Sequence, residues 1–366
     1  MEPGDRVLSL LNGIRGLAAV AILFWHYQHF YFPPGQFAPS AGFQARLPLY
    51  ALFWPLYDFG HYAVQIFWIL SGVVFAHVYL QSAVTTRGFA VNRFARLYPL
   101  HLLTLLAMAV LQGIAERRVG GPVIYFVNGP GQFLQHLLMA SGWGFAGGRD
   151  SFNAPMWSVS AEMAAYLVFW VSRRWLVRHG LLWPMVFVAA GVAARAAGIE
   201  NDIVRCLYHF MAGVGVLVIA RAIPQARLLL GLSAATVIEG LAGLLVLPFE
   251  SAMPLAVLLV SAGLLMASLA LDRAVGARLA RASNTLGDSA YGLYLWHVPV
   301  QAALFLAFPR VGDLAALASR PLFLGSFIGG MLLLAWLSFR LIERPARIAI
   351  RKLAGERRPD PPVSAP

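Results

Sequence analysis

Runs of roughly 17 to 22 mostly apolar residues, the length an α-helix needs to cross a bilayer core, recur along the whole chain. They fall at 13–32, 60–81, 97–116, 155–172, 181–198, 205–222, 228–247, 254–271, 289–308 and 321–341. Inside lipid the backbone finds no water, so each run must satisfy its own N–H and C=O groups as a helix. Composition agrees. Of 366 residues 59% are hydrophobic and 12% charged, and the mean hydropathy is +0.69, whereas a soluble domain is about a quarter charged. The expected fold is all-α: a polytopic membrane protein of about ten transmembrane helices. One membrane domain spans 1–345, followed by a basic and then Pro-rich tail over 346–366. No internal repeat is visible, which speaks against a secondary transporter.

The net charge of +12 would suit nucleic acid if it were clustered. It is instead spread over short connections, at Arg87, Arg93 and Arg96, at Arg173, Arg174 and Arg178, at Arg273, Arg278 and Arg281, and from Arg340 to Arg358. That distribution fits the positive-inside rule, with both termini cytoplasmic and the bilayer as partner rather than nucleic acid. The single cysteine, Cys206, excludes an internal disulfide and a Cys-rich metal site, and no metal is expected. The start, "MEPGDRVLSL", does not read as a cleaved signal peptide. Two outer connections, 33–59 and 117–154, are long, and a short interfacial or re-entrant helix is expected over 133–141.

Polar groups inside the spans carry the functional signal, because each costs at least a few kcal/mol to insert. In "LNGIRGLAAVAILFWHYQHF", Arg15 and His26 are eleven residues apart. On a helix that spacing returns to within about 20° of one face and separates the two by about 16 Å. Small residues lie between them on that face. Ser158, Glu162 and Tyr166 form a second polar stripe at i, i+4 and i+8. Tyr291, Tyr294 and His297 step along the ninth run at intervals of three, beside a packing glycine, Gly292. Arg93 and Arg96, in "NRFARLYPLH", suit bidentate phosphate capture, and Pro99 is expected to disrupt the first turns of the third span.

Six ordered blocks resemble membrane acyltransferase family 3, from about Asn12 to Pro345: "NGIRG" with His26, "VQIFWILSG", "RFARLYP", "WSVSAE", "LGDSAYGLYLWHVPV" and "IERP". The chain departs from the family at Asn12, where Asp is frequent, so Arg15 needs another partner, and at Ala63 and Trp68. It leaves no room for the hydrolase-like domain that many relatives add.

The resemblance implies O-acylation of a carbohydrate or glycolipid in a bacterial inner membrane. The donor would be cytoplasmic acyl-CoA, acetyl-CoA by family habit, and the acceptor an outer hydroxyl. Arg15, Arg93 and Arg96 would then hold the nucleotide end, and His26 would act as general base or transient acyl carrier. Glu162 would orient His26 as the third member of a triad does. Trp157, Ser158, Tyr291, Tyr294 and His297 would contact substrate, with Tyr291, Tyr294 or His297 donating to the oxyanion. The rival from another class is a transporter with a midplane polar pathway. A serine protease built on "GLSA", with Ser233, is weaker because no histidine of that span or the next can pair with it.

Overall fold

The computed structural model describes residues 8–33, 36, 38–39, 41–199, 201–308 and 311–356. The N-terminal segment through Val7 and the Pro-rich end from Arg357 lie outside the described residues. Among the described residues there are helices and no strands. Every one of the ten apolar runs coincides with a helix: α1 (Ser9–His26), α3 (Ala63–Tyr79), α4 (Thr86–Val119), α6 (Met156–His179), α7 (Leu182–Ala196), α8 (Asp202–Ala222), α9 (Ala226–Val246), α10 (Phe249–Leu271), α11 (Ala277–Ala307) and α13 (Pro321–Ser338). Four shorter helices complete the set: α2 (Tyr50–Phe59), α5 (Pro130–Leu137), α12 (Val311–Ala318) and α14 (Arg344–Leu353). Among the described residues, seven segments are long and apolar enough to cross a membrane. α6 and α11 are long but carry more polar side chains, and α7 has 15 residues.

The boundaries show what local sequence hides. α4 begins eleven residues before the expected start, where the Thr85 hydroxyl accepts from Gly88 N at 3.0 Å, a side-chain N-cap. Pro99 therefore sits within a continuous long helix and removes one internal hydrogen bond, rather than breaking a first turn. The short outer helix runs over 130–137, not 133–141. Pro130 pre-sets its first turn, and Met139 leaves the helical region at φ 53°. α11 begins at Ala277, so Asn284, Gly287 and Asp288 belong to a helix that lies along α1.

Glycine fixes the closest helix pairs. α3 crosses α8 at Gly72 and Gly213: a Cβ on Gly72 would stand 1.8 Å from the Phe210 carbonyl oxygen, and one on Gly213 would stand 1.8 Å from that of Ile69. Such close backbone approach is how helices associate where water supplies no driving force. Gly292 abuts Ala335 on α13, as a packing glycine should. Around this crossing lies the main apolar core, including Trp68, Phe75, Tyr166 and Phe210.

α1 is tied to the end of α10, and the last helix, α14, to the start of α4. Leu10 N donates to Asp272 Oδ1 at 2.7 Å, and Arg87 donates to the Ala354 carbonyl at 3.2 Å. Residues 346–353 continue α14 and dock on α4. Arg93, Arg96 and Arg347 also lie at this arginine-rich end, and residues 41–49 and 120–155 lie at the other. Ser233, the residue of the protease motif, donates to the Gly263 carbonyl at 2.7 Å and holds α9 against α10.

Candidate active site

Three cavities follow one another through shared walls: the first between α1, α3, α4, α6 and α11, the second between α1, α3, α6, α8 and α11, and the third between the end of α1, the adjoining loops and the start of α6. The first, at the arginine-rich end, is a narrow cleft of about 120 Å³ lined by Arg15, Arg93, Arg96, Glu162, Tyr291 and Tyr294, with Ser158 and Trp68 on its wall. The second is a chamber lined by His26, His61, Trp68, Trp157 and Tyr294. The third, an open vestibule of about 620 Å³ at the loop end, shares His26 and Trp157 with the second. Trp68 and Tyr294 line both the cleft and the His26 chamber, so these two side chains are the partition between them.

In the cleft, Arg15 aims Nε and Nη2 at one acceptor, the Gly287 carbonyl, with Nε at 3.0 Å. This is the partner that Asn12 could not supply; the Asn12 amide instead donates to Asn284 Oδ1 at 2.8 Å. The carbonyl is reachable because residue 287 has no side chain: a Cβ there would stand 2.5 Å from the Asn12 oxygen. Arg96, Arg347, Asp288 and Glu343 are the charged neighbours of Arg15. Arg93 stacks on Phe75 at 4.7 Å and Tyr79 at 5.3 Å and donates to the Tyr79 hydroxyl at 2.9 Å. A guanidinium held flat on aromatic faces keeps its in-plane N–H groups directed to the edges, as capture of an anion requires.

In the chamber, His26 Nδ1 donates to the Ile22 carbonyl at 3.0 Å. That bond places the proton on Nδ1 of the neutral ring and leaves the Nε2 lone pair as the basic site. The ring is sandwiched between His297, with centroids 4.6 Å apart, and His29, at 5.0 Å. Gln301 ties this group together. Its Nε2 donates to the His26 carbonyl at 2.9 Å, while its Oε1 accepts from His29 Nδ1 at 2.9 Å. Among the described residues no group of three His, Cys, Asp or Glu side chains has metal-binding geometry.

Several sequence-based roles change. Glu162 lies in the cleft beside Arg93, Ser71 and Tyr166, across the Trp68–Tyr294 partition from His26, and no hydrogen bond joins the two. The triad geometry expected of them is absent. His26 sits at the last turn of α1 and Glu162 one to two turns into α6, so the two side chains face different compartments. The Tyr294 hydroxyl donates to the Pro155 carbonyl at 2.7 Å and bonds Ser158 Oγ at 2.6 Å. The Tyr291 hydroxyl donates to the Leu97 carbonyl at 2.8 Å. Both tyrosines thus tie helices together rather than offering a free oxyanion donor. His297 is fully buried and borders none of the three cavities, packing behind His26. Trp157 is on the wall of both chamber and vestibule, where a substrate ring can meet it.

Sequence reasoning missed Gln301, His29 and the Gly287 carbonyl, whose roles exist only through the α1–α11 contact. It also missed Arg149 and Arg205, which border the chamber from a loop and from α8. An arginine on a connection expected to be outer, against the positive-inside bias, was the available signal.

A family model described as an acyltransferase domain matches residues 9–340. "Acyltransferase MdmB" of Streptomyces mycarofaciens is 34% identical over 196 residues, covering 53% of this chain and 46% of its own. "Protein 2 in picA locus" of Rhizobium radiobacter is 37% identical over 112 residues, covering 30% and 47%. The chain thus spans about half the length of the curated relatives it matches. No solved structure matches it. With the family model extending over nearly the whole bundle, the chain belongs to the membrane acyltransferase 3 family.

Proposed function

We propose that the protein moves an acyl group, acetyl in the simplest case, from cytoplasmic acyl-CoA to a hydroxyl of a carbohydrate or glycolipid on the opposite face of a bacterial inner membrane. The observation that carries this reading is the row of cavities: an arginine-lined cleft, a two-residue partition, and a histidine chamber open to a wide vestibule. The cleft is small and carries arginines beside an apolar wall, which suits a phosphate-bearing end followed by an extended arm. The vestibule is five times roomier and lined by Trp25 and Trp157, which suits a ring. Arg93 and Arg96 hold the anionic nucleotide end, Arg15 braces the cleft, and Glu162 balances their charge. The membrane domain of this activity runs over 1–345, with the remaining residues as a cytoplasmic tail.

In the transfer step, His26 Nε2 takes the proton of the acceptor hydroxyl as its oxygen attacks the thioester carbonyl carbon. The C–O bond forms and the C–S bond breaks. The thiolate of CoA leaves and receives the proton from His26, so the enzyme returns to its starting state. General base assistance of this kind is worth roughly 10²–10⁴ in rate. The Nδ1–Ile22 bond holds the required tautomer, the orienting role first assigned to Glu162.

The test is His26→Ala in the reconstituted full chain, with CoA affinity and helicity followed alongside acyl transfer. Transfer should drop at least about a hundredfold, with CoA affinity kept. Full transfer in the variant removes His26 from the mechanism. In cells, deletion of the gene should remove an acyl increment from envelope glycans seen by mass spectrometry.

A further inference from the structure

The loop end of the chamber carries an arrangement that acyl transfer by itself does not require. Arg149, on the loop between α5 and α6, and Arg205, on the first turn of α8, converge on the same two groups. Arg149 Nη1 bonds Asp202 Oδ2 at 2.9 Å, and Arg205 Nη2 bonds Asp202 Oδ1. The Arg149 guanidinium also lies 4.4 Å over the Trp157 ring, with that of Arg205 at 5.8 Å. One carboxylate thus faces two guanidiniums. Each guanidinium has five N–H donors, and one nitrogen of each is engaged by Asp202. Arg195 and Asn201 border the same pocket, of about 270 Å³, and Asp150 lies on the vestibule side. Arginine on this side runs against the positive-inside bias.

Position decides what the excess charge is for. Arg149 borders all three spaces that meet here: the pocket, the His26 chamber and the vestibule. Arg205 borders the first two. Trp157, on whose face both arginines lie, shares the chamber wall with His26. A molecule with a hydroxyl at His26 and a ring in the space beside Trp157 therefore has its far substituent at the two guanidiniums. We propose that Arg149 and Arg205 form an anion subsite, and that the acceptor is a carbohydrate bearing a carboxylate or phosphate. Planar forked donors match either oxyanion in a bidentate manner. This rests on the acyltransferase reading above and adds the charge class of its acceptor.

The test uses the full chain in nanodiscs with acetyl-CoA as donor. Methyl glucoside, methyl glucuronoside, glucose 1-phosphate and a polyprenyl-phosphate-linked glucose are compared for binding by calorimetry and for transfer by mass. The anionic probes should bind at least tenfold tighter than the neutral one. Preference for the glucuronoside alone identifies a carboxylate, and preference for the lipid-linked sugar over glucose 1-phosphate identifies a lipid carrier. The Arg149→Gln/Arg205→Gln pair should bring the anionic-to-neutral ratio near one, acting on KM rather than kcat. Arg149→Lys should keep part of it, and Arg149→Glu/Arg205→Glu should turn the preference toward a glucosaminide. An equal affinity for charged and neutral probes, or a ratio unmoved by these variants, overturns the subsite and leaves the acyltransferase reading standing. A charge preference abolished by the Gln pair, with no probe acylated despite bound CoA, supports the subsite and removes that reading.

Discussion

An arginine and a histidine on one line of a lipid-spanning helix are affordable because each finds a backbone carbonyl. Arg15 directs two N–H groups to Gly287 and borders the cleft with the rest of its guanidinium, and His26 directs Nδ1 to Ile22. The two interactions differ in consequence. Arg15 is drawn into the α1–α11 seam and braces the cleft, whereas His26 keeps a lone pair on the cavity side. Arg93 and Arg96 carry the stronger expectation of ligand contact. Arg93→Ala and Arg96→Ala should each weaken CoA binding by about tenfold or more, the loss of one charge-assisted hydrogen bond of about 1.5–3 kcal/mol. Titration of the purified variants checks this, and unchanged affinity would reduce both residues to topology signals.

At the scale of elements, the bundle depends on a few crossings where a side chain has no room. Gly72→Leu places its Cβ 1.8 Å from a backbone oxygen of α8, which no rotamer relieves. The variant should lose its monodisperse folded form in detergent. Gly243→Ala on α9 meets nothing within 4 Å and should be neutral or stabilise by up to about 1 kcal/mol, as an added helix former does; thermal unfolding of the pair measures the contrast. The loop that carries Arg149 is held by α5. His136 Nε2 donates to Ser151 Oγ at 3.0 Å, and its carbonyl accepts from His101 Nε2 at 2.7 Å. Burial, with His101 close by, pushes the His136 imidazole down from 6.5 to about 4. The neutral ring is therefore the native form. The sign follows: the loop keeps its full stability above about pH 6.5 and loses it progressively as pH falls toward 4. Proteolysis within 138–155 should rise over that window, and His136→Gln should flatten the pH dependence.

For the molecule as a whole, the row of cavities sets a direction. The arginine-lined cleft borders Arg93 and Arg96 in the first half of α4, the vestibule borders the end of α1 and the loop before α6, and a transfer reaction using both has a donor side and an acceptor side. In sealed vesicles with uniform orientation, acetyl-CoA should support acylation only from the arginine-rich face and acceptor only from the other. A transporter would instead move solute across the vesicle wall without any donor, which the same vesicles report directly. Trp68 and Tyr294 mark the point at which the thioester end of the donor must pass from cleft to chamber. Trp68 Nε1 donates to the Ser158 carbonyl at 3.2 Å, and Tyr294 is tied to Pro155, so both walls are fixed to the start of α6.

The sequence alone determined the class of fold and marked the polar groups inside the spans as candidates. Ten apolar runs permit only helices in lipid, and each polar side chain inside them is costly enough to require a purpose. It also placed Arg15 and His26 on one line, because both belong to one helix whose geometry is local. Which groups meet across helices was decided by tertiary structure. Glu162 was separated from His26, the hydroxyls of Tyr291 and Tyr294 were turned to backbone carbonyls, and Arg205 was brought to Trp157 from another helix. Helical periodicity fixes a face but not the neighbour it meets. That choice rests on glycine crossings and on hydrogen bonds between residues more than a hundred positions apart, which no local pattern encodes.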